Sequence, residues 1–229
     1  MKSTQICVLV AVGLTLLANS ASAAINTPPG LQLGDKFHLV FVTSGSTQAF
    51  TSNPPISGYD FFVYNEAALN GLTTYYDSFV DWYALGSFSQ FAGPDVSAIS
   101  RFNPSFPVYR LDGVKIANDG ADLWDSTIQN PLNVAPDLST VNSIVWTGSE
   151  ANGSPAINNA TLNNGANNPR AGTSFVTFSN WIAAVDFPFS TELHLYAFSS
   201  ELTVIPEPGT LVLISAAMGG FLAMRRRRR

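Results

Sequence analysis

Lys36-Phe-His-Leu-Val-Phe-Val-Thr43 is the stretch that decides the fold of this chain. It is rich in β-branched and aromatic residues and runs into the turn-forming Ser44-Gly45-Ser46, a pattern that predicts a strand. Far along the chain, residues 191–204 alternate apolar and polar side chains and predict a closing strand. We expect these two strands to frame one domain.

Between these strands, the sequence predicts short elements joined by long turns. Residues 59–72 place apolar side chains at helical spacing and predict a helix. Asp112-Gly113 lies between two short apolar–polar runs and predicts a hairpin over residues 107–117 with a two-residue turn. The remaining expected pieces are strands 79–84 and 143–147, a polar bend 118–125 capping a helical turn through Ile128, an apolar piece at Trp181 and a surface loop 152–172. We therefore expect an α+β fold with short strands, one or two helices and long loops.

The order of six motifs adds a resemblance to this pattern. The motifs are Phe41-Val-Thr-Ser44, Trp82, Tyr109-Arg-Leu-Asp-Gly113, Ala121-Asp-Leu-Trp-Asp125, Val145-Trp-Thr-Gly148 and Leu195-Tyr-Ala-Phe198. In this order they resemble bacterial endostatin-like, C-type-lectin-like domains over nearly all of residues 36–204. Many relatives carry cysteines around the late strands, and C-type lectins carry Glu-Pro-Asn and Trp-Asn-Asp calcium motifs. This sequence has none of these in the domain, so the resemblance implies the fold without calcium-dependent sugar binding.

The first 23 residues have the organisation of a secretory signal peptide. A basic start at Met1-Lys2 precedes an apolar core over residues 6–18, and Ala21-Ser22-Ala23 forms an A-x-A cleavage site. Cys7, the single cysteine of the chain, lies in this segment, so we expect no disulfide in the mature domain from Ala24 onward. The expected export partners are the Sec translocon and signal peptidase.

Residues 205–229 combine three features in a fixed order. Pro206-Glu207-Pro208 favours an extended, accessible peptide, because proline lacks an N–H donor and restricts its neighbour. The uncharged run 210–224 would be roughly 22 Å long as a helix, short of the ~30 Å hydrocarbon core. Five arginines, 225–229, would hold its end in the cytoplasm and leave the preceding domain outside.

These three features resemble the PEP-CTERM sorting signal of Gram-negative bacteria. The resemblance implies that an exosortase-type membrane protease recognises Pro206, Glu207 and Pro208 and processes the tail, in a host that makes exopolysaccharide or biofilm. It divides the chain into a signal peptide (1–23), an extracytoplasmic lectin-like domain (24–204) and a sorting tail (205–229). The protein would pass through the inner membrane to the cell surface or extracellular matrix. An ordinary C-terminal anchor helix is the alternative, although such a helix would usually be longer.

The expected domain is strongly acidic. Of the 16 acidic residues of the chain only Glu207 lies outside it, and its basic residues are Lys36, Arg101, Arg110, Lys115 and Arg170. Its formal charge is about −10, compared with −5 for the whole chain. So few basic residues argue against nucleic-acid binding, which depends on contacts to phosphate.

The densest group of oxygen ligands is Asn118, Asp119, Asp122 and Asp125. Such a cluster can hold Ca²⁺, but the spacing is not that of an EF-hand and no bidentate glutamate closes it. Turn and N-cap chemistry is the alternative that we favour. Trp124 lies between these aspartates and is the best candidate among the four tryptophans for an exposed sugar platform, although burial is the commoner fate of tryptophan. Apart from this possible Ca²⁺, no cofactor is expected.

The sequence offers little for catalysis. His38 and His194 both lie in predicted strands, and no Gly-x-Ser-x-Gly elbow supplies a nucleophile for either. Asp122, Asp125 and Glu150 could serve a surface glycosidase, but sequence gives no distance between them. We therefore expect a non-enzymatic module that binds exopolysaccharide, another carbohydrate or a surface partner. The glycosidase and a purely structural matrix protein are the alternatives.

Overall fold

The computed structural model describes residues 25–49, 55–90, 93–165 and 167–205. These residues form twelve strands, most of them short, and three α-helices. The strands are β1 (Lys36–Val42), β2 (Thr47–Gln48), β3 (Thr74–Tyr75), β4 (Ser78–Phe79), β5 (Trp82–Ala84), β6 (Val108–Arg110), β7 (Lys115–Ala117), β8 (Ile144–Trp146), β9 (Arg170–Thr173), β10 (Val185–Asp186), β11 (Glu192–Ser199) and β12 (Leu202–Thr203). The helices are α1 (Pro55–Leu69), α2 (Ala98–Arg101) and α3 (Gly120–Leu123). The predicted signal segment 1–23 and the predicted sorting tail from Pro206 onward lie outside the described residues.

The main sheet is mixed and is centred on the two long strands, β1 and β11. Its order is β10-β9-β8-β11-β1-β6-β7, with β12 paired to β1 and with β2 and β5 paired to β11. β1 runs antiparallel to β11 and parallel to β6, while β11 runs parallel to β8. A mixed sheet with few helices is an α+β arrangement, as the sequence predicts at this coarse level.

Alternate residues of β1 and β11 point into two separate cores, because side chains of a strand alternate between the faces of the sheet. Phe37, Leu39 and Phe41 pack into one core with Leu195 and Ala197. The other core takes the intervening residues Val40, Val42, Tyr196 and Phe198. Burial on both faces explains why the deciding stretch is almost continuously apolar.

α1 covers the first of these cores. Its inner face carries Tyr59, Val63 and Ala67, which are spaced four residues apart and are fully buried. The predicted helix started at Tyr59, whereas the observed one starts at Pro55, since proline is tolerated in the first turn of a helix. It ends at Leu69 instead of Leu72, and Gly71 follows with a φ of 72°, a left-handed conformation that glycine adopts without strain.

The predicted hairpin forms as β6 and β7, but its turn is longer by one residue. The amide of Gly113 donates to the carbonyl of Arg110 at 2.9 Å, and the amide of Arg110 donates to the carbonyl of Val114 at 2.9 Å. Leu111, Asp112 and Gly113 therefore make a three-residue loop with Gly113 at a φ of 82°. The expected two-residue turn is wrong because this glycine occupies the left-handed third position.

The predicted closing strand, 191–204, is interrupted by a bulge. Val40 pairs with Phe198, but three residues earlier Phe37 pairs with Leu202, so the closing strand holds one extra residue. The extra residue falls within 199–201, between β11 and β12. This bulge lies opposite His38, and together they line a surface cleft.

Other predicted pieces occur with shifted bounds. The strand expected over 79–84 is split into the end of β4 and β5, because the amide of Val80 turns to the carbonyl of Thr73. The polar bend 118–125 contains α3, and β8 lies inside the predicted 143–147. The loop 152–172 holds a 3₁₀ turn, Ile157–Asn159, before β9, and Trp181 ends a second 3₁₀ turn, Ser179–Trp181.

Among the residues that the structure describes, no helix has both the length and the apolar character needed to cross a membrane.

Candidate functional site

The aspartates of the predicted calcium segment are engaged in local hydrogen bonds. Asp119 is the N-cap of α3 and accepts from the amide of Asp122 at 3.0 Å. Asp122 accepts from the amide of Asn118 at 2.7 Å and from the side-chain amide of Gln129 at 2.6 Å. Asp125 accepts from the amide and the hydroxyl of Thr127 at 2.9 and 2.8 Å. Each carboxylate thus performs the cap or turn role that these residue types favour.

Within the described ranges, no three His, Cys, Asp or Glu side chains come together to form a group that could hold a metal ion. The geometry therefore gives the calcium hypothesis for Asp119, Asp122 and Asp125 no support. The structural alternative accounts for their contacts without a ligand.

Trp124 is a core residue and not a platform. Its side chain is only 6% exposed, and its indole Nε1 donates to the carbonyl of Phe102 at 2.7 Å. Its ring lies 6.1 Å from that of Trp181, centroid to centroid. The burial that the sequence favours for Trp124 is confirmed, and the exposed platform is not: the flanking aspartates hold the short turn while the ring between them points inward. Trp82, Trp146 and Trp181 are likewise buried.

The carboxylates considered for a glycosidase have structural partners as well. Glu150 forms an ion pair with Arg170 at 3.2 Å and accepts from the amide of Ile157 at 3.0 Å. Arg170 also pairs with Asp186, and this hydrogen bond raises the pKa of the guanidinium. Asp122 and Asp125 hold the turn around α3, as above. No contact favours any two of these three carboxylates as a catalytic pair. The glycosidase therefore stays a hypothesis.

Both histidines anchor strands through their Nδ1 atoms. Nδ1 of His194 lies 2.7 Å from the carbonyl oxygen of Thr43, and Nδ1 of His38 lies 3.1 Å from that of Ser199. In each pair the ring nitrogen is the donor, since a carbonyl can only accept. Burial lowers the pKa of His38, and its hydrogen bond to Ser199 offsets only part of this effect. His38 is therefore a neutral ring at the base of a cleft.

This cleft of about 310 Å³ lies between the segment 102–106 and the bulge of the closing strand. His38 and Tyr83 line it from β1 and β5, and Phe198, Ser199, Ser200 and Glu201 line it from the bulge. The rings form a continuous set: the centroid of Phe198 lies 4.9 Å from that of His38 and 4.8 Å from that of Phe102. Tyr83 continues the set, 6.2 Å from Phe102. We refer to this site as the aromatic cleft.

The wall of the aromatic cleft is anchored by the segment that the sequence had suggested as a calcium site. The carbonyl of Pro104 accepts from the amide of Gly120 at 2.6 Å, and the carbonyl of Phe102 accepts from Trp124. A Cβ on Gly120 would collide with the side chain of Asn103, so glycine is needed for this close approach. The acidic segment thus has a positioning role for the cleft wall.

The charged groups around the aromatic cleft are paired. The guanidinium of Arg101 donates to both carboxylate oxygens of Asp60, at 2.9 and 2.8 Å, and lies over the ring of Phe102. Lys36 pairs with Glu201 at 2.8 Å and lies over the ring of Phe106. Because each charge already has a partner, the cleft offers rings, hydroxyls and the amide of Asn103 to a ligand more than it offers net charge.

A second cleft, of about 410 Å³, lies beside β10 within the predicted surface loop. Asn158, Ala160, Asn167, Asn168 and Asp186 line it. The side-chain amide of Asn167 donates to the carbonyl of Asn158 at 3.0 Å, so part of its polar lining is already satisfied. It has no aromatic wall among its lining residues.

Sequence reasoning missed the aromatic cleft. Asn103-Pro104 is a loop signal that could have marked its wall. The bulge that faces this wall lies about a hundred residues later, and local patterns carry no information on which strands pair.

No protein-family model matches the chain, and no curated protein matches it either.

Proposed function

We propose that this protein is an exported, non-enzymatic module that binds a carbohydrate in the aromatic cleft. The observation that carries the proposal is the lining of the cleft, where half-buried rings lie beside hydroxyl and amide groups. Aromatic rings pack against the apolar faces of sugars, and a few convergent polar groups fix their orientation. The cleft volume, about 310 Å³, is at the small end of ligand pockets and therefore favours a small sugar unit.

We propose also that the domain belongs to the C-type-lectin-like, endostatin-like fold. The order of the six sequence motifs supports this, together with a mixed sheet with few helices. Residues 206–229 support a PEP-CTERM tail that an exosortase-type protease processes. The protein would then pass through the inner membrane to the cell surface or matrix, where the exopolysaccharide of the host is the expected ligand.

Binding of the host exopolysaccharide to the mature protein, measured by calorimetry with and without Ca²⁺, tests the function. Tyr83→Ala and Phe106→Ala each remove a half-buried ring from the cleft and should weaken binding about two- to tenfold, since one stacking contact contributes roughly 0.5–1.5 kcal/mol. Phe178→Ala is the matched control, because it removes an exposed ring that does not line the cleft.

Equal affinities of all three variants would show that the cleft is not the site. No binding by the unaltered protein would favour the purely structural alternative. Release of shortened glycans during the titration would favour the glycosidase.

The sorting proposal has its own test. Replacing Pro206, Glu207 and Pro208 with alanine should trap full-length protein in the inner membrane, because the protease would lose its recognition motif. Fractionation of cells and immunoblotting measure this. Normal processing and release of the variant would contradict the sorting tail.

A further inference from the structure

The chain leaves the folded domain at one end of β1. β12 pairs with the first two residues of β1, Phe37 with Leu202 and Lys36 with Thr203. The amide of Val204 donates to the carbonyl of Asp35, and the amide of Gly34 donates to the carbonyl of Val204, at 2.8 and 2.9 Å. Ile205 therefore lies beside the turn that contains Leu33. We refer to this part of the molecule as the exit end.

Large apolar side chains are exposed at the exit end. Leu33 is 66% exposed, and Ile205, the last described residue, is exposed as well. Phe79 is 60% exposed on the β3–β4 hairpin. The ring of Tyr75 in this hairpin lies 5.6 Å from that of Phe37, which pairs with Leu202, so the hairpin is held at the same end.

The outer face of α1 lies beside this hairpin. Leu69, at the C-terminal end of the helix, is highly exposed, and the ring of Tyr64 lies 6.1 Å from that of Phe79. Residues 57, 61, 64, 65 and 68 share this outer face, and they are Ser, Phe, Tyr, Asn and Ala, with no charge among them. We define the exit patch as Leu33, Leu69, Phe79 and Ile205. Several exposed large apolar side chains at one end of a domain mark a candidate place of interaction.

The sequence beyond Ile205 indicates what covers the exit patch. Only Pro206-Glu207-Pro208-Gly209 separates Ile205 from the apolar run 210–224. The five Cα-to-Cα steps from Ile205 to Thr210 span at most about 18 Å, even when the chain is fully extended. If the apolar run is inserted in a bilayer, the exit end is therefore held close to the bilayer surface.

We propose that the exit patch docks the domain onto the outer surface of the membrane that holds the tail. The proposal rests on the membrane stage of the sorting tail proposed above. Leu and Phe side chains enter the boundary between headgroups and acyl chains, which the exposed patch allows. Lys36, the basic residue at this end, is paired with Glu201, and the domain is acidic, so the contact is apolar and fits neutral headgroups better than anionic ones.

Site-specific fluorescence on the full chain tests this docking. Cys7→Ser removes the single cysteine, and Leu33→Cys or Phe79→Cys then places one environment-sensitive label in the exit patch. The protein is reconstituted in phosphatidylcholine vesicles that contain a lipid with a nitroxide at the headgroup. Both labels should be blue-shifted and quenched by the nitroxide.

Leu138→Cys is the matched control. Leu138 is also an exposed apolar residue, at 53%, but its turn lies beside the other end of β1, where the amide of Val42 donates to the carbonyl of Val134. β1 is roughly 20 Å long, so this label should stay in water and unquenched. Equal quenching at all three positions would mean non-specific adsorption and would overturn the proposal.

A label at Val212→Cys, in the apolar run, separates the failure of this proposal from that of the sorting tail. A quenched label at 212 with unquenched labels at 33 and 79 would overturn the docking alone. An unquenched label at 212 would contradict the membrane stage of the tail and the docking with it. Shielding at 33 and 79 that is independent of the nitroxide lipid and grows with protein concentration would assign the patch to a second copy and overturn membrane docking.

Discussion

At the residue scale, Gly153 shows how tightly the wall of the aromatic cleft is built. Gly153 has a φ of 75°, and a Cβ there would lie 2.6 Å from Cε3 of Trp124. Gly153→Ala should therefore reduce the free energy of unfolding in two ways, through left-handed backbone strain of about 1–2 kcal/mol and through overpacking of about 1–3 kcal/mol. Urea titration measures the sum.

Gly34→Ala separates the two contributions. Gly34 has a similar φ of 90°, but no atom lies within 4 Å of the Cβ that alanine would add. Its variant should lose only the backbone contribution. Equal losses at Gly34 and Gly153 would mean that the ring of Trp124 yields freely, and that the cleft wall is softer than its contacts indicate.

His38 should make the stability of the fold depend on pH. Burial lowers the pKa of this ring below 6.5, its ordinary value, so the unfolded chain binds a proton before the folded one does. The free energy of unfolding should then be highest above this value and fall as the pH decreases from 6.5 toward the folded-state pKa. Urea titrations across this range should show a smaller decrease for His38→Gln, which does not titrate. An identical decrease in both proteins would contradict the lowered pKa of this half-buried His38.

At the element scale, the ion pair of Arg101 and Asp60 joins three elements at the cleft. Asp60 on α1 accepts from Arg101 on α2 and from the amide of Ala84 on β5, at 2.8 Å for the latter. Asp60→Ala leaves the amide of Ala84 without its acceptor and the mostly buried guanidinium of Arg101 without its counter-ion, with only the carbonyl of Ala84 still accepting from it. The variant should lower the free energy of unfolding by about 2–3 kcal/mol. Chemical denaturation measures this loss.

The Lys36–Glu201 pair provides the comparison. The side chains of Lys36 and Glu201 are 43% and 41% exposed, against 14% and 22% for Arg101 and Asp60. Solvent screens the exposed pair, so Glu201→Ala should change the free energy of unfolding by less than about 1 kcal/mol. A loss as large as that of Asp60→Ala would contradict the expected difference in solvent screening between the exposed pair and the inner pair.

The elements were predictable where their determinants are local. β1 follows from its own residues, and the β6–β7 hairpin follows from Asp112-Gly113, although the turn that forms has three residues. The bulge at 199–201 could not be predicted, because it depends on how β11 and β12 are placed against β1. The burial of Trp124 depends on long-range contacts in the same way: the residue lies between Asp122 and Asp125 in the sequence, while its neighbours in space are Phe102 and Trp181.

At the scale of the whole molecule, the aromatic cleft exists because of long-range pairing. β1 pairs with β11 on one side and with β6 on the other, and this arrangement brings the segment preceding β6 opposite the end of β11. His38, Phe102 and Phe198 meet in the cleft although they come from distant parts of the sequence. Periodicity and turn signals predict the structure of each segment, but they do not predict which distant segments come into contact.

The closing strand also decides where the tail can be removed without loss of stability. Leu202 and Val204 are buried in the first core, and β12 pairs with the first two residues of β1. A chain that ends at Ser200 should lose roughly 3–6 kcal/mol, because each of these two buried aliphatic side chains contributes about 1.5–3 kcal/mol. A chain that ends at Ile205 should unfold at the same urea concentration as the full protein. If the two truncations were equally stable, β12 would be dispensable; if they differ as expected, any cut that releases an intact domain must lie beyond Ser200.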